Sequence, residues 1–377
     1  MKTLNKKKIS ICILTSSRAD YGIYKPLLEN LSKDKGIDIT IVAFGMHLQK
    51  KFGTTIKKIK EDNFGKIDTI EGMSDKDTSY DIAISYSQLI GKFAQYWSKN
   101  SFDYVIALGD RFEMSAAVQS GIPFEIQFIH LHGGEETLGS LDNIYRHQIT
   151  LASKIHFVAS EQYFKRVSKI TGSKKSIYNY GALSLDGIDK IKLPKWSTVC
   201  KQFDIKDEDY ILVTFHPETV GLEKNKNYAN IVFKSLAKIS EEINILITLP
   251  NADASSDLYR SAMKKLSILF PEKVFLVENF GRENYFAAMK NSSMMIGNTS
   301  SGILEAASFK KYVINVGDRQ KGRLKDKNIF DVPFSKEEIL KKYKHIKELG
   351  DFSGKNIFFK SNTAMKIINY IKKDHES

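Results

Sequence analysis

Short apolar runs alternate along this chain with amphipathic stretches. ISICILT (9–15) is near-continuously apolar and stops at polar Thr15-Ser16-Ser17-Arg18, the signature of a strand buried on both faces. A helix is predicted from about Tyr21 to Ser32, and IDITIVAFG (37–45) is the next strand. DYVIALGD (103–110) predicts a strand, Phe112–Ser120 a helix, EIQFIHLHGG a strand running into a loop, Asn143–Ser153 a helix and KIHFVAS (154–160) a strand. The rhythm restarts at DYILVTFHPET (209–219). Helix NYANIVFKSLAKISEE, strand INILITLPN (243–251), helix DLYRSAMKKLSILF and strand KVFLVEN follow. The helix around NYFAAMKNS, strand MMIGNTSSG, helix ILEAASF and strand YVINVGDR complete the series.

Repeated β-α units imply parallel sheets covered by helices. The predicted fold class is α/β, with two doubly wound Rossmann-like domains facing each other across a cleft. The stretch between Tyr180 and Asp209 lacks a strong strand signal and carries a proline. The expected division is therefore 1–182 and 183–361, with a C-terminal helix over 362–377 packing back on the first domain. In such sheets ligands bind beyond the carboxyl ends of the strands.

Composition changes this picture little. At 377 residues the chain is too long for one ordinary core. Hydrophobic residues make up 42% and charged residues 27%, the balance of a globular protein. The two cysteines, Cys12 and Cys200, form no CxxC pattern, which argues against a disulfide scaffold or a thiolate zinc site. No apolar run nears the length of a membrane span or a signal-peptide core, so a cytoplasmic protein is expected. The net charge of +13 is spread among acids without a run of five basic residues. It reads as a lysine-rich surface, compatible with a local anion site, and no nucleic-acid or membrane partner is expected.

Every strand end is polar. The first carries Arg18 and Asp20, the second His47, the third Asp110, Arg111 and Glu113. In the second half the ends carry His216, Asn251 with Asp253, Arg282, GNTSSGILE, and Arg319 with Arg323. In GNTSSGILE a strand stops at Gly297, and Ser300 and Ser301 open a helix beside Gly302. Serine hydroxyls and unpaired helix N–H groups suit an anion, and Gly302 would let a phosphate approach the backbone. Ordinary N-capping explains the same residues. Glu305 could accept from ribose hydroxyls. Neither a P-loop nor a GxGxxG fingerprint occurs, so no dinucleotide is implied.

HLHGGEETLGSLDNIYRH (130–147) holds the densest chemistry. On a strand, H-x-H would put His130 and His132 on one face, and with Glu135 this allows a metal. No partner set at a recognised metal spacing follows, and no metal is expected. The competing reading is acid/base work. Asp110 and Asp142 both follow strand ends, and carboxylates crowded together would rise in pKa toward neutrality. The glycine pair Gly133-Gly134 would give room for a sugar.

RADYG, GMH, GDRFE, HGGE…RH, FHPET, GNTSSGILEA and GDRQKGR occur in this order from Arg18 to Arg323. As an ordered set they resemble the hydrolysing UDP-N-acetylglucosamine 2-epimerases of the sialic-acid pathway. The resemblance implies a fold like that of the GT-B glycosyltransferases, with the nucleotide sugar in the interdomain cleft. It implies conversion of UDP-GlcNAc and water to N-acetylmannosamine and UDP, without a cofactor, by elimination to 2-acetamidoglucal and rehydration. Homodimers or homotetramers and a place in surface-polysaccharide synthesis are implied too. By resemblance Arg18, His216, Asn251, Ser300, Ser301 and Glu305 would hold UDP, and Asp110 and Asp142 would lie near the sugar. Asp20, His47, Arg111, Arg146, Arg282, Gly302 and Arg319 join them as substrate-binding candidates. One departure stands out. Sialic-acid-type members usually read H-I-E-G-G-E, with the first glutamate proposed as an acid/base. Here His132 holds that place, and Asn143 stands where a second acid is common. His132 could be the base, or Glu135 could reach in. The H-x-H-G-G-E form resembles branches acting on UDP- or GDP-N,N'-diacetylbacillosamine in the legionaminic acid pathway. A non-hydrolysing epimerase, a GT-B glycosyltransferase and a non-catalytic nucleotide-sugar binder are the remaining alternatives.

Overall fold

In the computed structural model the described residues are 8–49, 55–74, 78–136, 138, 141–218, 221–250 and 256–377. Two all-parallel sheets organise them. The first contains β1 (Ile9–Thr15), β2 (Ile37–Phe44), β3 (Lys66–Ile70), β4 (Tyr104–Leu108), β5 (Phe128–Leu131), β6 (Ile155–Val158) and β7 (Ile177–Asn179). Its order is β3-β2-β1-β4-β5-β6-β7. The second contains β8 (Tyr210–Thr214), β9 (Asn244–Thr248), β10 (Val274–Val277), β11 (Met295–Gly297), β12 (Val313–Val316) and β13 (Ile329–Val332), in the order β10-β9-β8-β11-β12-β13. In each sheet the order reverses direction beside its first strand, which makes a topological switch point there.

The near-continuous apolar strands have the burial that explains them. In β1, Ile9, Ile11 and Ile13 enter one core cluster, while Cys12 and Leu14 enter another on the opposite face. Register is set from Ile9 opposite Ile37 to Thr15 opposite Ala43. In the second unit Ile211, Val213, Ile245, Ile247, Ile296 and Ile314 build a single cluster with helix residues Val232, Leu236 and Met263.

The chain divides into one compact unit of residues 1–136, 141–187 and 358–377 and another of 137–140 and 188–357. The first unit thus runs past residue 182, because Leu183 joins its core and Asp186 holds a helix belonging to it. That helix, Thr363–His375, buries Ala364, Ile367, Ile368 and Ile371 in the first core. Its N-cap residue Asn362 makes no side-chain capping bond. Asp186 substitutes from far away in sequence, accepting from Thr363 N–H at 2.9 Å and Ala364 N–H at 2.9 Å. A carboxylate on two first-turn donors satisfies orphan N–H groups and opposes the helix dipole.

ILEAASF does not form the regular helix its pattern predicts. The α-helix is only Ser300–Leu304, followed by a 3-10 turn over Ala306–Phe309. Lys310 then takes a left-handed conformation at φ 63°, which ends the turn.

Replacing Asp186 with alanine removes both acceptors. We expect a loss of about 1–3 kcal/mol, read as a lower midpoint in urea, with amide exchange accelerated first in Thr363–His375.

Candidate functional site

The polar strand ends of the first unit form a linked set. β4 ends at Leu108, and Gly109 turns the chain so that Asp110 and Arg111 follow. β5 ends at Leu131, and His132 then adopts φ +61°, an uncommon conformation for a side-chain-bearing residue. The strand alternation therefore stops before His132. His130 and His132 do not work as one face, which corrects the H-x-H expectation. His130 is fully buried, with Nε2 2.9 Å from the Gly109 carbonyl oxygen and Nδ1 3.1 Å from Thr150 Oγ1. A carbonyl only accepts, so Nε2 carries the proton. Burial pushes the pKa of His130 down to about 3, so it stays neutral.

His132 Nδ1 lies 2.8 Å from Glu135 Oε1. With the carboxylate as acceptor the proton sits on Nδ1, leaving Nε2 with its lone pair. Nε2 is buried and has no hydrogen-bond partner among the described residues. Arg146 lies behind this pair, 2% exposed. It donates from Nη1 to the His132 carbonyl at 3.0 Å, pairs through Nη2 with Asp110, and has Nη1 3.8 Å from Glu135 Oε2. Arg146 was expected to contact substrate. Its guanidinium is instead taken up by the protein, where it joins Asp110, His132 and Glu135. The nearest charge to Asp110 is thus a cation, not a second acid.

Gly133 and Gly134 face protein. A methyl group at Gly134 would stand 2.7 Å from the Tyr163 carbonyl oxygen and 2.9 Å from Val167 Cγ2, and Gly134 has φ +78°. One at Gly133 would stand 3.0 Å from His130 Nδ1. The pair lets the loop lie on its neighbours, which replaces the expectation of room for a sugar.

Around β1 and β2, Asp20 accepts from Ser16 N–H at 2.7 Å and Ser16 Oγ at 3.0 Å, and bonds Ser17. Burial raises its pKa, against the opposing pull of these donors and of Arg111. Arg111 donates to Glu113, which is wholly buried. Desolvation alone would lower the pKa of Arg111, but Glu113, Asp20 and Asp142 outweigh it and raise it. His47 is buried, its Nε2 2.9 Å from Thr15 Oγ1 and its Nδ1 2.7 Å from Thr55 Oγ1. Desolvation lowers its pKa to about 4, so it is a neutral brace between loops. Arg18 is exposed in the first turn of helix Arg18–Leu31, and Asp142 opens helix Asp142–Ala152, also exposed.

In the second unit, Asn298 after β11 organises the strand ends, and nothing in the sequence pattern singled it out. Its Oδ1 accepts from His216 N–H at 2.7 Å and its Nδ2 donates to the His216 carbonyl at 2.8 Å. Its own carbonyl accepts from Arg319 Nη1 at 3.2 Å and Gln320 Nε2 at 2.9 Å. A primary amide, with an acceptor and a donor side by side, can meet both backbone groups of one residue in this way. Glu218 is a second such residue, its Oε1 accepting from Asp318 N–H at 2.9 Å and Arg319 N–H at 3.0 Å. His216 is half-buried with Nδ1 unpartnered among the described residues. Burial, then Arg319, pushes its pKa down to about 4.

Ser301 donates to Tyr285 Oη at 3.2 Å, and Thr299 caps Ser301 N–H. Burial pushes the Tyr285 phenol up to about 12. A methyl group at Gly302 would point at Val313 Cγ1, 3.1 Å away, so the absence of a side chain lets this turn pack on β12. Ser300 is half-buried in the first helical turn, and Arg282 lies 5.2 Å over the Phe286 ring. Glu305 is half-buried with Oε2 unpartnered among the described residues. Burial raises its pKa to about 7 although Ser301, Arg282, its own backbone N–H and Arg323 all favour the anion. Asn251 and Asp253 lie outside the described residues. Among those described, no group of three or more His, Cys, Asp or Glu is arranged to hold a metal, and no helix is long and apolar enough to cross a membrane.

Two doubly wound parallel units of this kind define the GT-B-like class. UDP-GlcNAc 2-epimerase from Neisseria meningitidis, solved with UDP-GlcNAc, superposes with a TM-score of 0.78 at 16% identity, over 97% of this chain and 100% of that one. A glycosyltransferase from Rickettsia africae superposes at 0.56, also at 16% identity, over 98% and 97%. The chain belongs to the UDP-N-acetylglucosamine 2-epimerase family, whose family model matches residues 29–372. It is 31% identical to polysialic acid biosynthesis protein P7 of Escherichia coli, over 96% of this chain and 93% of that protein. It is 33% identical to the hydrolysing UDP-N,N'-diacetylbacillosamine 2-epimerase of Legionella pneumophila, over 88% and 86%.

The Glu305 carboxyl titrates from its ordinary 4.5 to about 7 on folding. The folded state therefore holds the proton more tightly, and stability falls as pH rises from about 4.5 to 7. Glu305→Gln should abolish that slope. At pH 8 the variant should melt about 2–4 °C above the parent, with the two converging near pH 5. Equal slopes in both would show that Glu305 is not the titrating group.

Proposed function

We propose that this protein is a hydrolysing 2-epimerase that converts UDP-GlcNAc and water into N-acetylmannosamine and UDP. The observation that carries the reading is the His132–Glu135 pair, an imidazole whose Nδ1 is tied to a carboxylate and whose Nε2 is buried without a hydrogen-bond partner among the described residues. Such a nitrogen is an acceptor awaiting a proton.

Nε2 of His132 takes the proton from C2 while the bond from C1 to the diphosphate oxygen breaks. The products of this step are 2-acetamidoglucal and UDP. Water then adds across the double bond, its hydroxyl to C1 and a proton to C2 on the opposite face. Glu135 fixes the His132 tautomer and stabilises the imidazolium that forms. Asp110, ion-paired to Arg146, is the second acid/base and delivers the water. A place near the sugar is our assignment for Asp142 and Arg111, while Asp20 and His47 brace their own loops through Ser16 and Thr15. The UDP ligands we propose in the second unit are Ser300, Ser301, Glu305, His216, Arg282 and Arg319, and the sequence motifs add Arg18 and Asn251 as candidates. Cations and hydroxyl donors there stabilise the charge that develops on the diphosphate. No cofactor takes part, because elimination and hydration leave the oxidation level unchanged overall.

The hydrolysing character draws support from the Legionella relative named above. The same relative favours a second reading, the same reaction on UDP-N,N'-diacetylbacillosamine. The E. coli polysialic acid relative, matched over nearly the whole chain, favours the first.

The test is incubation with each nucleotide sugar in deuterated water, followed by NMR. We expect free N-acetylmannosamine deuterated at C2 together with UDP. Turnover of the diacetamido sugar alone would move the substrate, and an epimerised nucleotide sugar without UDP release would overturn hydrolysis. Replacing His132 with glutamine should cut C2 deuteration by a factor of about 10²–10⁴ while UDP still binds. Asp110→Asn should likewise abolish turnover, and near-normal activity would remove that residue from the chemistry.

A further inference from the structure

We infer that Arg166 is a positioning residue that sets the His132 tautomer through the loop carrying Glu135; the inference rests on the reaction proposed above. Arg166 lies within helix Glu161–Thr171, after β6, and no sequence motif marks it. Its Nη1 donates to the Gly134 carbonyl at 2.7 Å, and its Nη2 is 2.8 Å from Glu136 Oε2. These two acceptors belong to the residues immediately before and after Glu135. One planar guanidinium thus grips the chain on both sides of the residue whose carboxylate meets His132 Nδ1.

Arg146 Nη1, 3.8 Å from Glu135 Oε2, meets the carboxylate, while Arg166 acts on the backbone that carries it. Gly134 has no side chain, and glycine carries the largest backbone freedom of any residue. The loop lies against helix Glu161–Thr171 because Gly134 admits the Tyr163 carbonyl and Val167. That contact positions the loop in depth but supplies no hydrogen bond. Arg166 adds two charge-assisted ones from the same helix, one of them to the peptide that joins Gly134 to Glu135. A rigid fork fixes orientation where a lysine would supply a point charge.

The consequence is chemical. If Glu135 swings away, Nδ1 loses its acceptor and the proton distributes between the two ring nitrogens. Nε2 is then no longer reliably the unprotonated one, and proton removal from C2 slows. UDP affinity should not change, because the UDP ligands proposed above do not include this loop.

The experiment compares the parent with Arg166→Gln and Arg166→Lys. With ¹⁵N-labelled histidine, assigned by the loss of one ring in His132→Gln, the parent should show His132 protonated at Nδ1 and bare at Nε2. Arg166→Gln should show averaged nitrogen shifts, at least a tenfold fall in the rate of C2 deuteration, and an unchanged dissociation constant for UDP. Arg166→Lys keeps one contact and should fall between. Glu136→Gln, which keeps the Gly134 bond and loses the charge on the other side, should also fall between, and parent-like nitrogen signals there would show that the Gly134 bond alone holds the loop. Unchanged His132 nitrogen signals in Arg166→Gln would overturn the inference, as would a fall in UDP affinity matching the fall in rate. The nitrogen readout does not need turnover. A parent with fixed Nδ1–H but no C2 exchange on either sugar would refute the proposed reaction and leave the clasp standing. Should Arg166→Gln fail to fold, Arg166→Lys gives the same contrast in smaller measure.

Discussion

A buried guanidinium is the constraint on which the first unit's strand ends depend. Arg146 is almost wholly removed from water, and an unpaired charge at that depth would cost several kcal/mol. Its acceptors come from separate stretches of chain: Asp110 after β4, and the His132 carbonyl and Glu135 after β5. Helix Asp142–Ala152 must dock so that the guanidinium reaches all three. The sheet order puts β4 beside β5 in parallel, so both strands deliver their ends to the same edge. Charge satisfaction and topology therefore select one arrangement. His130 reinforces it from below by tying the Gly109 carbonyl to helix residue Thr150.

The second unit organises its strand ends with one amide and one carboxylate. Asn298 clamps the peptide of His216 from both directions and offers its carbonyl to Arg319 and Gln320. Glu218 collects the N–H groups after β12, though burial raises its pKa. The contrast is chemical. The first unit fixes its polar side chains with one buried cation among acids. The second leaves Arg319 and the half-buried Glu305 attached to a frame of amides.

Much of the architecture was legible because strands buried on both faces leave an apolar run that ends at a polar residue. β1, β2 and β8 announce themselves in this way. β3, KIDTI, alternates polar and apolar at the sheet edge and passed without notice, as did three-residue β7. Helix Ser79–Trp97 buries Ser85, Leu89, Phe93 and Trp97 along one stripe, diluted by polar residues, and gave no clear signal either. For the strand ends, position along the chain located the polar residues, while their contacts lay beyond reach. The sequence carries no mark that His132 leaves the strand with a positive φ, that Gly134 accommodates a helix, or that Arg146 turns inward. Each follows from a partner distant in sequence: Phe157 O for the His132 N–H, Tyr163 for Gly134, Asp110 for Arg146.

The His132–Glu135 pair also gives the histidine of the H-x-H-G-G-E stretch a chemical role. A lone buried carboxylate beside Arg146 would be held as an anion by that cation, a weak base for a carbon acid. An imidazole tied at Nδ1 offers Nε2 as a neutral base, and the carboxylate supports the positive charge it acquires. Arg146 meanwhile engages the His132 carbonyl, not its ring, so the cation sits on the backbone side of the residue. Proton acceptance at Nε2 therefore faces less opposing charge than a ring-directed guanidinium would impose. The proposed chemistry is consistent with this separation of roles: guanidinium for shape, carboxylate for tautomer, imidazole for the proton.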